Sequence, residues 1–555
     1  MKRPLVLALI TVTLIAGATF ALSRDDDDVT SNGLPSSPLA GEHWFEQSCE
    51  LPLELLERIE RGTVIGKSAD ITYVPAFPNY FGTFAVSTHS GPWDYLQRVP
   101  LVFYGPGYVE GHGDMTLDRP VTVADIAPTL AELLGTDLPG ERAGVPITEA
   151  LVDPEDRATP PKLIVLVVWD GAGWNVLEEW PQAWPFLRSL MEDGTSIQDA
   201  AVGSSPSVTP AVHTTMGTGT FPAQHGIVDI PIRNGNRVPD SFPDKSARFL
   251  EIPTLADSFD AEVDNAAKVA MIAERGWHLG MMGHGSLLDG ADKDIAVMSQ
   301  GGAGELTTNE FYYRLPRYLR NVPGFEDDIA AVDASDGKSD GRWRGHRIPE
   351  LHRAGAANPV WTRFQARLIE TLVRRERFGA DDTPDLLFTN FKEIDLIGHV
   401  YNMVNPEMRS ILRHSDASLE RLVSFLDDQV GSGEWVLAFT ADHGSGPDPR
   451  TIGAWPISMP QLQVDVATAV GVRVTKLFQA QRPTGMWFHP PTMAKRKVDL
   501  AEIAELLLDY RIEDNVEPNQ VVPSEYASRS KERLFAAAFP TSALPDVMAC
   551  ARGRA

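Results

Sequence analysis

The chain has 555 residues, of which 43% are hydrophobic and 23% are charged, and these proportions are typical of a globular protein and exclude a disordered one. Its formal net charge of −27 at pH 7 argues against nucleic acid as a partner, because phosphate contacts need clustered Lys and Arg. The same charge is compatible with a small phosphorylated substrate, since bound metal ions can dominate the local field.

The N-terminus has the pattern of a targeting segment. Lys2 and Arg3 precede an apolar run, residues 4–22, and small residues near Ala21 offer cleavage sites. We therefore predict a signal peptide over residues 1–22, or, because the run is long enough to span a bilayer, an uncleaved membrane anchor. Either form predicts that the protein works outside the cytoplasm, as an extracellular, periplasmic or cell-envelope protein. Residues 23–48 are predicted to be a flexible tether.

The chain contains two cysteines, Cys49 and Cys550. An even pair in an exported protein favours one disulfide bridge over two free thiols. So few thiols exclude a zinc-finger type of site. Any bound metal ion must therefore use His, Asp, Glu or hydroxyl ligands.

The segment 49–150 carries short helix and strand patterns. Residues 51–61 place their apolar side chains on one face and predict a helix. Residues 100–104 predict a short strand, and residues 122–134 predict a helix that begins with a capping box. Residues 151–162 are rich in proline and charge, and they predict a linker to the rest of the chain.

From residue 163 onward, apolar strands alternate with amphipathic helices. Such alternation predicts an α/β protein with a largely parallel central sheet and helices on both faces. We predict that residues 163–555 form the core catalytic part and that residues 49–555 form one structural domain. Strands are predicted at residues 163–169, 268–273, 294–298, 386–391 and 435–439, and helices at residues 172–191, 359–377 and 406–430.

Acidic and histidine side chains follow two of these strands. Asp170 comes directly after the first strand, and Asp442 and His443 follow the last one. In open α/β sheets ligands bind beyond the carboxyl ends of the strands, and adjacent Asp and His side chains there can reach one metal ion. The structural alternatives are a hydrogen-bonded loop pair for Asp442 and His443, and a helix N-cap for Asp170.

Three further residues have spacings that suit phosphoryl chemistry. Thr209 precedes Pro210, which is suited to the first position of a helix, so the Thr209 hydroxyl is expected beside free backbone N–H groups that attract a phosphoryl group. A simple helix cap is the alternative. Asp395 and His399 lie four residues apart, which on a helix puts both on one face, as a shared metal ion requires.

Four motifs, taken in chain order, resemble those of the alkaline phosphatase superfamily, and most closely those of its type I phosphodiesterase/nucleotide pyrophosphatase branch. They are WDGAGW at residues 169–174, SVTPAVHTTMGTGTFPAQHGI around Thr209, DLIGH at residues 395–399 and TADHG at residues 440–444. The resemblance implies a mixed α/β sandwich with a site for two zinc ions.

The family's third metal-binding histidine normally lies downstream of the DHG motif, but no matching segment follows that motif here. The matching segment, THSGPWDYLQRVPLVFYGPG, begins at Thr88, upstream of the other motifs, and contains His89. The chain therefore resembles a circular permutant, in which residues 49–150 match the family's C-terminal part and residues 151–162 join what are elsewhere the two chain ends. A bridge between the two cysteines would rejoin the interrupted segment.

The resemblance also implies a role for each motif residue. The Thr209 alkoxide would attack phosphorus to give a phosphothreonine intermediate, which a water on the second metal ion would hydrolyse. The rival hydroxyls are those of Ser204, Ser205, Ser207 and Ser445. One ion would be bound by Asp170, Thr209, Asp442 and His443, and the other by Asp395, His399 and His89.

Two departures from the family pattern bear on the substrate. Where the family commonly has an Asn that holds a phosphoryl oxygen, this chain has Ile230, with Asn234 nearby. Where the phosphatase branch has Lys-x-Arg, this chain has Ala273 in place of the Lys and keeps Arg275. Asn234 and Arg275 are candidate substrate contacts, and a structural ion pair is the alternative for Arg275. Loss of the Lys disfavours a doubly charged monoester.

The sequence thus predicts an exported two-metal hydrolase of a small phosphoester. Phosphodiesters or nucleotide pyrophosphates are favoured as substrates over monoesters. One alternative is a sulfatase-like or phosphonate-hydrolase-like enzyme, although the CxPxR-like motif of such sulfatases is absent. Another alternative is an inactive, metal-stabilised binding protein of the cell envelope.

Overall fold

The structure is a computed structural model that describes residues 43–82, 85–157, 159–299, 305–348, 357–517 and 520–554. The predicted signal or anchor and residues 23–42 of the predicted tether lie outside the described residues. The described residues lie in one compact unit. None of the helices in the described ranges combines the length and the apolar character that crossing a membrane requires.

The β-strands of the described residues are short in the N-terminal part and longer in the central part. In chain order they are β1 (Ile71–Pro75), β2 (Tyr80–Phe81), β3 (Leu101–Tyr104), β4 (Gly113–Met115), β5 (Leu163–Trp169), β6 (Thr195–Ile197), β7 (Val269–Ala273), β8 (Ile295–Met298), β9 (Arg342–Trp343), β10 (His346–Arg347), β11 (Asp385–Phe391), β12 (Trp435–Thr440), β13 (Pro456–Ile457), β14 (Phe478–Arg482), β15 (Gly485–Phe488) and β16 (Phe535–Pro540).

The α-helices of the described residues connect and cover these strands. In chain order they are α1 (His43–Ser48), α2 (Leu53–Arg61), α3 (Asp94–Gln97), α4 (Ile126–Leu134), α5 (Trp174–Glu179), α6 (Pro185–Asp193), α7 (Thr209–Thr218), α8 (Pro222–His225), α9 (Leu255–Glu262), α10 (Leu279–Met282), α11 (Phe325–Asp333), α12 (Val360–Glu376), α13 (Glu393–Tyr401), α14 (Pro406–Leu426), α15 (Pro449–Ile452), α16 (Met459–Ala469), α17 (Val474–Leu477), α18 (Pro490–Arg496), α19 (Leu500–Asp509) and α20 (Leu544–Arg554).

The central element is an eight-stranded sheet with the order β4-β6-β3-β12-β5-β11-β7-β8. The strands from β12 to β8 run parallel, with Leu163 of β5 opposite both Trp435 of β12 and Asp385 of β11. β3 pairs antiparallel with β12 and with β6. Every residue of β5, β11 and β12 is buried, which means that both faces of the sheet are covered, as the continuous apolar runs predict. The predicted α/β class and the largely parallel sheet are confirmed.

A second sheet, with the order β14-β15-β1-β16, joins the two ends of the described chain. β1 pairs antiparallel with β16, with Ile71 opposite Pro540, and also with β15. This sheet has its own apolar cluster, which includes Tyr73, Phe81 and Leu507. No strand is predicted from the sequence in this region after residue 444.

Three local predictions need correction. The helix predicted over residues 172–191 is broken into α5 and α6, because Pro181 and Pro185 lack the N–H that a continuous helix requires. The last six residues of the predicted tether form α1, where the Trp44 N–H donates to Glu505 Oε1 at 2.8 Å. The helix predicted over residues 406–430 ends at Leu426 and continues as one π-helical turn.

Candidate metal centre and nucleophile

The predicted site residues come from five separate parts of the chain and lie together at the carboxyl ends of the parallel strands. They form two sets, each named here by its members. The histidine-rich set is His89, Asp395 and His399, and the strand-end set is Asp170, Thr209, Asp442 and His443. Asp170 follows β5, Asp395 and His399 lie on α13 after β11, Asp442 and His443 follow β12, Thr209 begins α7, and His89 lies before α3.

The ligand atoms of the histidine-rich set lie within 4.8 Å of one another. Asp395 Oδ1 is 3.6 Å from His89 Nε2 and 3.3 Å from His399 Nε2. The Nδ1–H group of His89 donates to the Ser207 carbonyl at 2.9 Å, and that of His399 donates to the Ser87 carbonyl at 2.8 Å. These bonds leave both Nε2 lone pairs free, which is the arrangement of metal-binding histidines. The set therefore fits a divalent ion.

Three of the four members of the strand-end set are fully buried. Asp170, Asp442 and His443 are 0% exposed. Asp442 Oδ1 accepts from the Gly171 N–H at 2.9 Å, and the His443 Nδ1–H donates to the Gly444 carbonyl at 2.9 Å. Asp442 Oδ2 and His443 Nε2 have no hydrogen-bond partner among the described residues. Buried polar atoms without partners are costly, so these two atoms also fit a cation.

Lys392, which the sequence analysis missed, lies at the junction of the two sets. Its Nζ donates to Asp170 Oδ1 at 2.7 Å and to Thr209 Oγ1 at 3.2 Å, and it forms an ion pair with Asp395 Oδ2 at 2.8 Å. The side chain is 4% exposed. Burial lowers the pKa of Lys392, but the charges of Asp170, Asp395 and Asp442 raise it further, and the net result is a pKa above its ordinary value. A Lys three residues before a candidate ligand, at the end of a strand, is the sequence signal that could have found it.

The charges of the site are poorly balanced without a further cation. Burial and the neighbouring Asp442 raise the pKa of Asp170 well above its ordinary value, and burial raises the pKa of Asp442. Burial and the adjacent His443 hold the pKa of His89 well below its ordinary value. Neutral histidines beside crowded carboxylates are the state in which these groups bind a metal ion.

Thr209 is the first residue of α7 and is 3% exposed. The loop before it is held by the N-terminal part of the chain, because the Ser205 N–H donates to the Arg58 carbonyl at 2.8 Å. Of the rival hydroxyls, that of Ser207 donates to the His89 carbonyl at 2.7 Å. Only the Thr209 hydroxyl among the candidate nucleophiles has a described contact with Lys392.

Two predicted substrate contacts lack a described contact with either set. Asn234 lies exposed in a tight turn and pairs with Arg237. Arg275 Nε lies 3.0 Å from Glu274 Oε1, and its guanidinium lies over the Trp277 ring. For Arg275 this is the ion pair that the sequence analysis kept as the alternative.

The site contains further polar residues that the sequence analysis did not assign to it. Asn390 Nδ2 donates to Asp170 Oδ2 and to His213 Nε2, each at 3.0 Å. His213 Nδ1–H donates in turn to the Thr209 carbonyl at 2.8 Å. His278 is fully buried, and its ligand atoms lie near those of Asp170 and His213. Asn390 and His213 therefore orient Asp170 and the first turn of α7, whereas neither ring nitrogen of His278 has a hydrogen-bond partner among the described residues.

Comparisons with known proteins find distant relatives of this chain. A "Calcium-transporting ATPase" of Myroides odoratus is 22% identical over 350 residues, which are 53% of this chain and 62% of that protein. The chain thus spans less than two thirds of that relative. "Alkaline phosphatase PafA" of Elizabethkingia meningoseptica is 19% identical over 403 residues, which are 63% of this chain and 72% of that protein. A crystal structure of wild-type PafA aligns with a TM-score of 0.46 and 16% identity, over 68% of this chain and 84% of that one.

The family comparison covers more than half of the chain. Residues 164–554 match the model of the family described as "Type I phosphodiesterase / nucleotide pyrophosphatase". That span contains both sets except for His89. The chain belongs to the type I phosphodiesterase/nucleotide pyrophosphatase family, a family of phosphoester hydrolases.

Proposed function

We propose that the protein is an exported, metal-dependent hydrolase of small phosphoric esters that uses Thr209 as its nucleophile. The observation that carries this proposal is the position of the Thr209 hydroxyl. It is buried at the start of α7, and the ammonium group of Lys392 links it to one carboxylate of each set, Asp170 and Asp395. Intact ligand sets around a nucleophile count against an inactive binding protein.

The N-terminus of α7, Lys392 and Thr209 have different roles in the proposed phosphoryl transfer. The N-terminus of α7 presents free N–H groups and the positive end of the helix dipole, which attract the phosphoryl oxygens. Lys392 donates to Thr209 Oγ1 and therefore favours its alkoxide form. The Thr209 oxygen forms a bond to phosphorus as the P–O bond to the leaving group breaks, and the Thr209 proton leaves with the departing alcohol or nucleotide. Water then attacks the phosphothreonine and releases phosphate or a phosphomonoester, which restores the hydroxyl.

Zinc is the ion that the donors of the histidine-rich set favour, because imidazole ligands suit zinc better than magnesium. When bound, the ion supplies a Lewis acid that polarises the phosphoryl group and acidifies water. His89, Asp395 and His399 would hold it and leave one position open. The family resemblance implies a second zinc ion at the strand-end set, and two of the four donors of that set already contact Lys392.

The substrate is proposed to be a phosphodiester or a nucleotide pyrophosphate. The chain has Ala273 where the phosphatase branch has a Lys, and it has Ile230 where the family commonly has an Asn. A singly charged diester needs less positive charge around it than a doubly charged monoester does. Monoesters are the second candidate, and Lys392 is the observation that favours them, since it adds a cation beside Thr209.

Two features outside the site support the rest of the proposal. Residues 1–22 have the pattern of an export signal, and the Cys49–Cys550 bridge is of a kind that persists in oxidising compartments. The permuted chain order remains a prediction. It is supported by β3, because this strand follows His89 in sequence and pairs in the central sheet with β12, the strand that precedes Asp442 and His443.

One experiment tests the activity and the substrate class together. The purified protein is dialysed against a chelator, reloaded with zinc or magnesium, and assayed on matched p-nitrophenyl phosphodiesters and monoesters. We expect no turnover without metal, better recovery with zinc than with magnesium, and a higher kcat/KM for diesters. Full activity of the metal-free protein would refute the metal dependence. A higher kcat/KM for monoesters would select the second candidate.

A further inference from the structure

Lys392 contacts three acceptor oxygens with its ammonium group. It donates hydrogen bonds to Asp170 Oδ1 at 2.7 Å and to Thr209 Oγ1 at 3.2 Å, and it forms an ion pair with Asp395 Oδ2 at 2.8 Å. These acceptors come from the loop after β5, from α13 and from the start of α7. A cation therefore already lies where the carboxylates of two separate segments meet the candidate nucleophile.

The ammonium group competes with a metal ion in the strand-end set. A zinc ion would have to lie about 2.0–2.2 Å from an oxygen of Asp170 and near Thr209 Oγ1. Lys392 Nζ contacts both residues, so an ion there would face a full positive charge at close range in a dry site, where repulsion is strong. With Lys392 in place, the strand-end set keeps two uncommitted donors, Asp442 Oδ2 and His443 Nε2.

The histidine-rich set does not have this competition. Asp395 faces Lys392 through Oδ2, whereas Oδ1 faces His89 and His399. The two histidines present free Nε2 atoms, because their Nδ1–H groups are bonded to backbone carbonyls. Two imidazoles and one carboxylate oxygen form a complete three-ligand site with an open position.

We propose that Lys392 takes the place of the metal ion expected in the strand-end set, so that this protein works with one zinc ion, at His89, Asp395 and His399, and one fixed ammonium. The inference rests on the proposed function only for the identity of the two sets. In this arrangement Lys392 is a catalytic residue, because it contacts the reacting oxygen of Thr209. It supplies the positive charge that a second ion would otherwise supply there.

The test is the zinc content of the full chain. Wild-type protein and the Lys392→Met variant are saturated with zinc, passed over a desalting column and measured by mass spectrometry of the metal. We expect about one zinc ion per chain for the wild type and about two for Lys392→Met, since that variant frees Asp170 and Thr209 to join Asp442 and His443. The matched control is Lys293→Met, which removes a lysine whose Nζ contacts the Glu310 carbonyl, and it should bind about one ion.

The outcomes separate this inference from the proposed function. Two zinc ions, or none, in the wild type would overturn the inference, and this measurement does not depend on whether Lys392→Met folds. Two ions together with rapid ester hydrolysis would overturn the inference and leave the proposed function intact. One ion without hydrolysis of any tested phosphoester would refute the proposed function and leave the role of Lys392 in metal binding intact.

Discussion

The disulfide bridge is predicted to stabilise the fold strongly. Cys49 and Cys550 are bonded, with their Cα atoms 5.8 Å apart and 501 residues apart in sequence, as the sequence predicts. Cys49 is buried in an apolar cluster that contains Leu56, Phe539 and Met548. In the chain-entropy model, a closed loop of about 500 residues contributes about 6 kcal/mol at 25 °C. The double variant Cys49→Ala/Cys550→Ala should therefore lose several kcal/mol.

The bridge also connects the chain ends to the candidate nucleophile. It lies beside α2, and the Arg58 carbonyl at the end of α2 accepts from the Ser205 N–H in the loop before Thr209. Urea unfolding of the wild type and the double variant, with ester hydrolysis measured at each urea concentration, tests both effects. Unfolding of the wild type in reducing buffer is the matched control. A loss below about 1 kcal/mol would refute the loop-closure reasoning.

Three further predictions concern single residues. A Cβ added at Gly62 would lie 1.7 Å from the Ser205 carbonyl oxygen, so Gly62→Ala should cost about 1–3 kcal/mol in urea unfolding and should lower kcat by displacing that loop. Burial lowers the pKa of His284, but the hydrogen bond and charge of Asp257 raise it by more, so the net pKa is above its ordinary value. The stability that such a raised pKa contributes is lost as the pH rises through the folded-state pKa. His284→Gln should therefore destabilise the protein more at about pH 5.5 than at about pH 9 in urea unfolding. His89→Ala should weaken zinc binding by about 100-fold or more in a titration, and unchanged affinity would exclude His89 as a ligand.

Six of the eight strands of the central sheet could be predicted from the sequence, whereas β4, β6 and the second sheet could not. β5, β11 and β12 are continuous apolar runs because both faces of each strand are covered, and such runs stand out in any sequence. β14, by contrast, has the sequence FQAQR and is half-buried along its length, so it carries little periodic signal. Its sheet depends on pairings between β1 and the last third of the chain, and local patterns do not report such pairings.

Motifs in the sequence identified the members of both sets, but no motif identified Lys392. Asp170, Asp395 and His443 each follow a strand at a spacing that the family resemblance identifies. Lys392 was missed because its three contacts join residues that include Asp170 and Thr209, 222 and 183 positions away. A sequence pattern does not show which residues a long side chain reaches. In the folded chain the ammonium group of Lys392 lies between the carboxylates of Asp170 and Asp395.

The most direct test of the account is a search for the covalent intermediate. Zinc-loaded protein is mixed with a p-nitrophenyl phosphoester, quenched in acid within milliseconds to seconds, digested and analysed by mass spectrometry. We expect a phosphoryl group on the peptide that contains Thr209, and with a diester substrate this group keeps its second ester. Thr209→Ala should form no such adduct and should lose on the order of a thousandfold or more in kcat while remaining folded. A phosphoryl group on a peptide that lacks Thr209, or near-normal turnover by Thr209→Ala, would contradict the account.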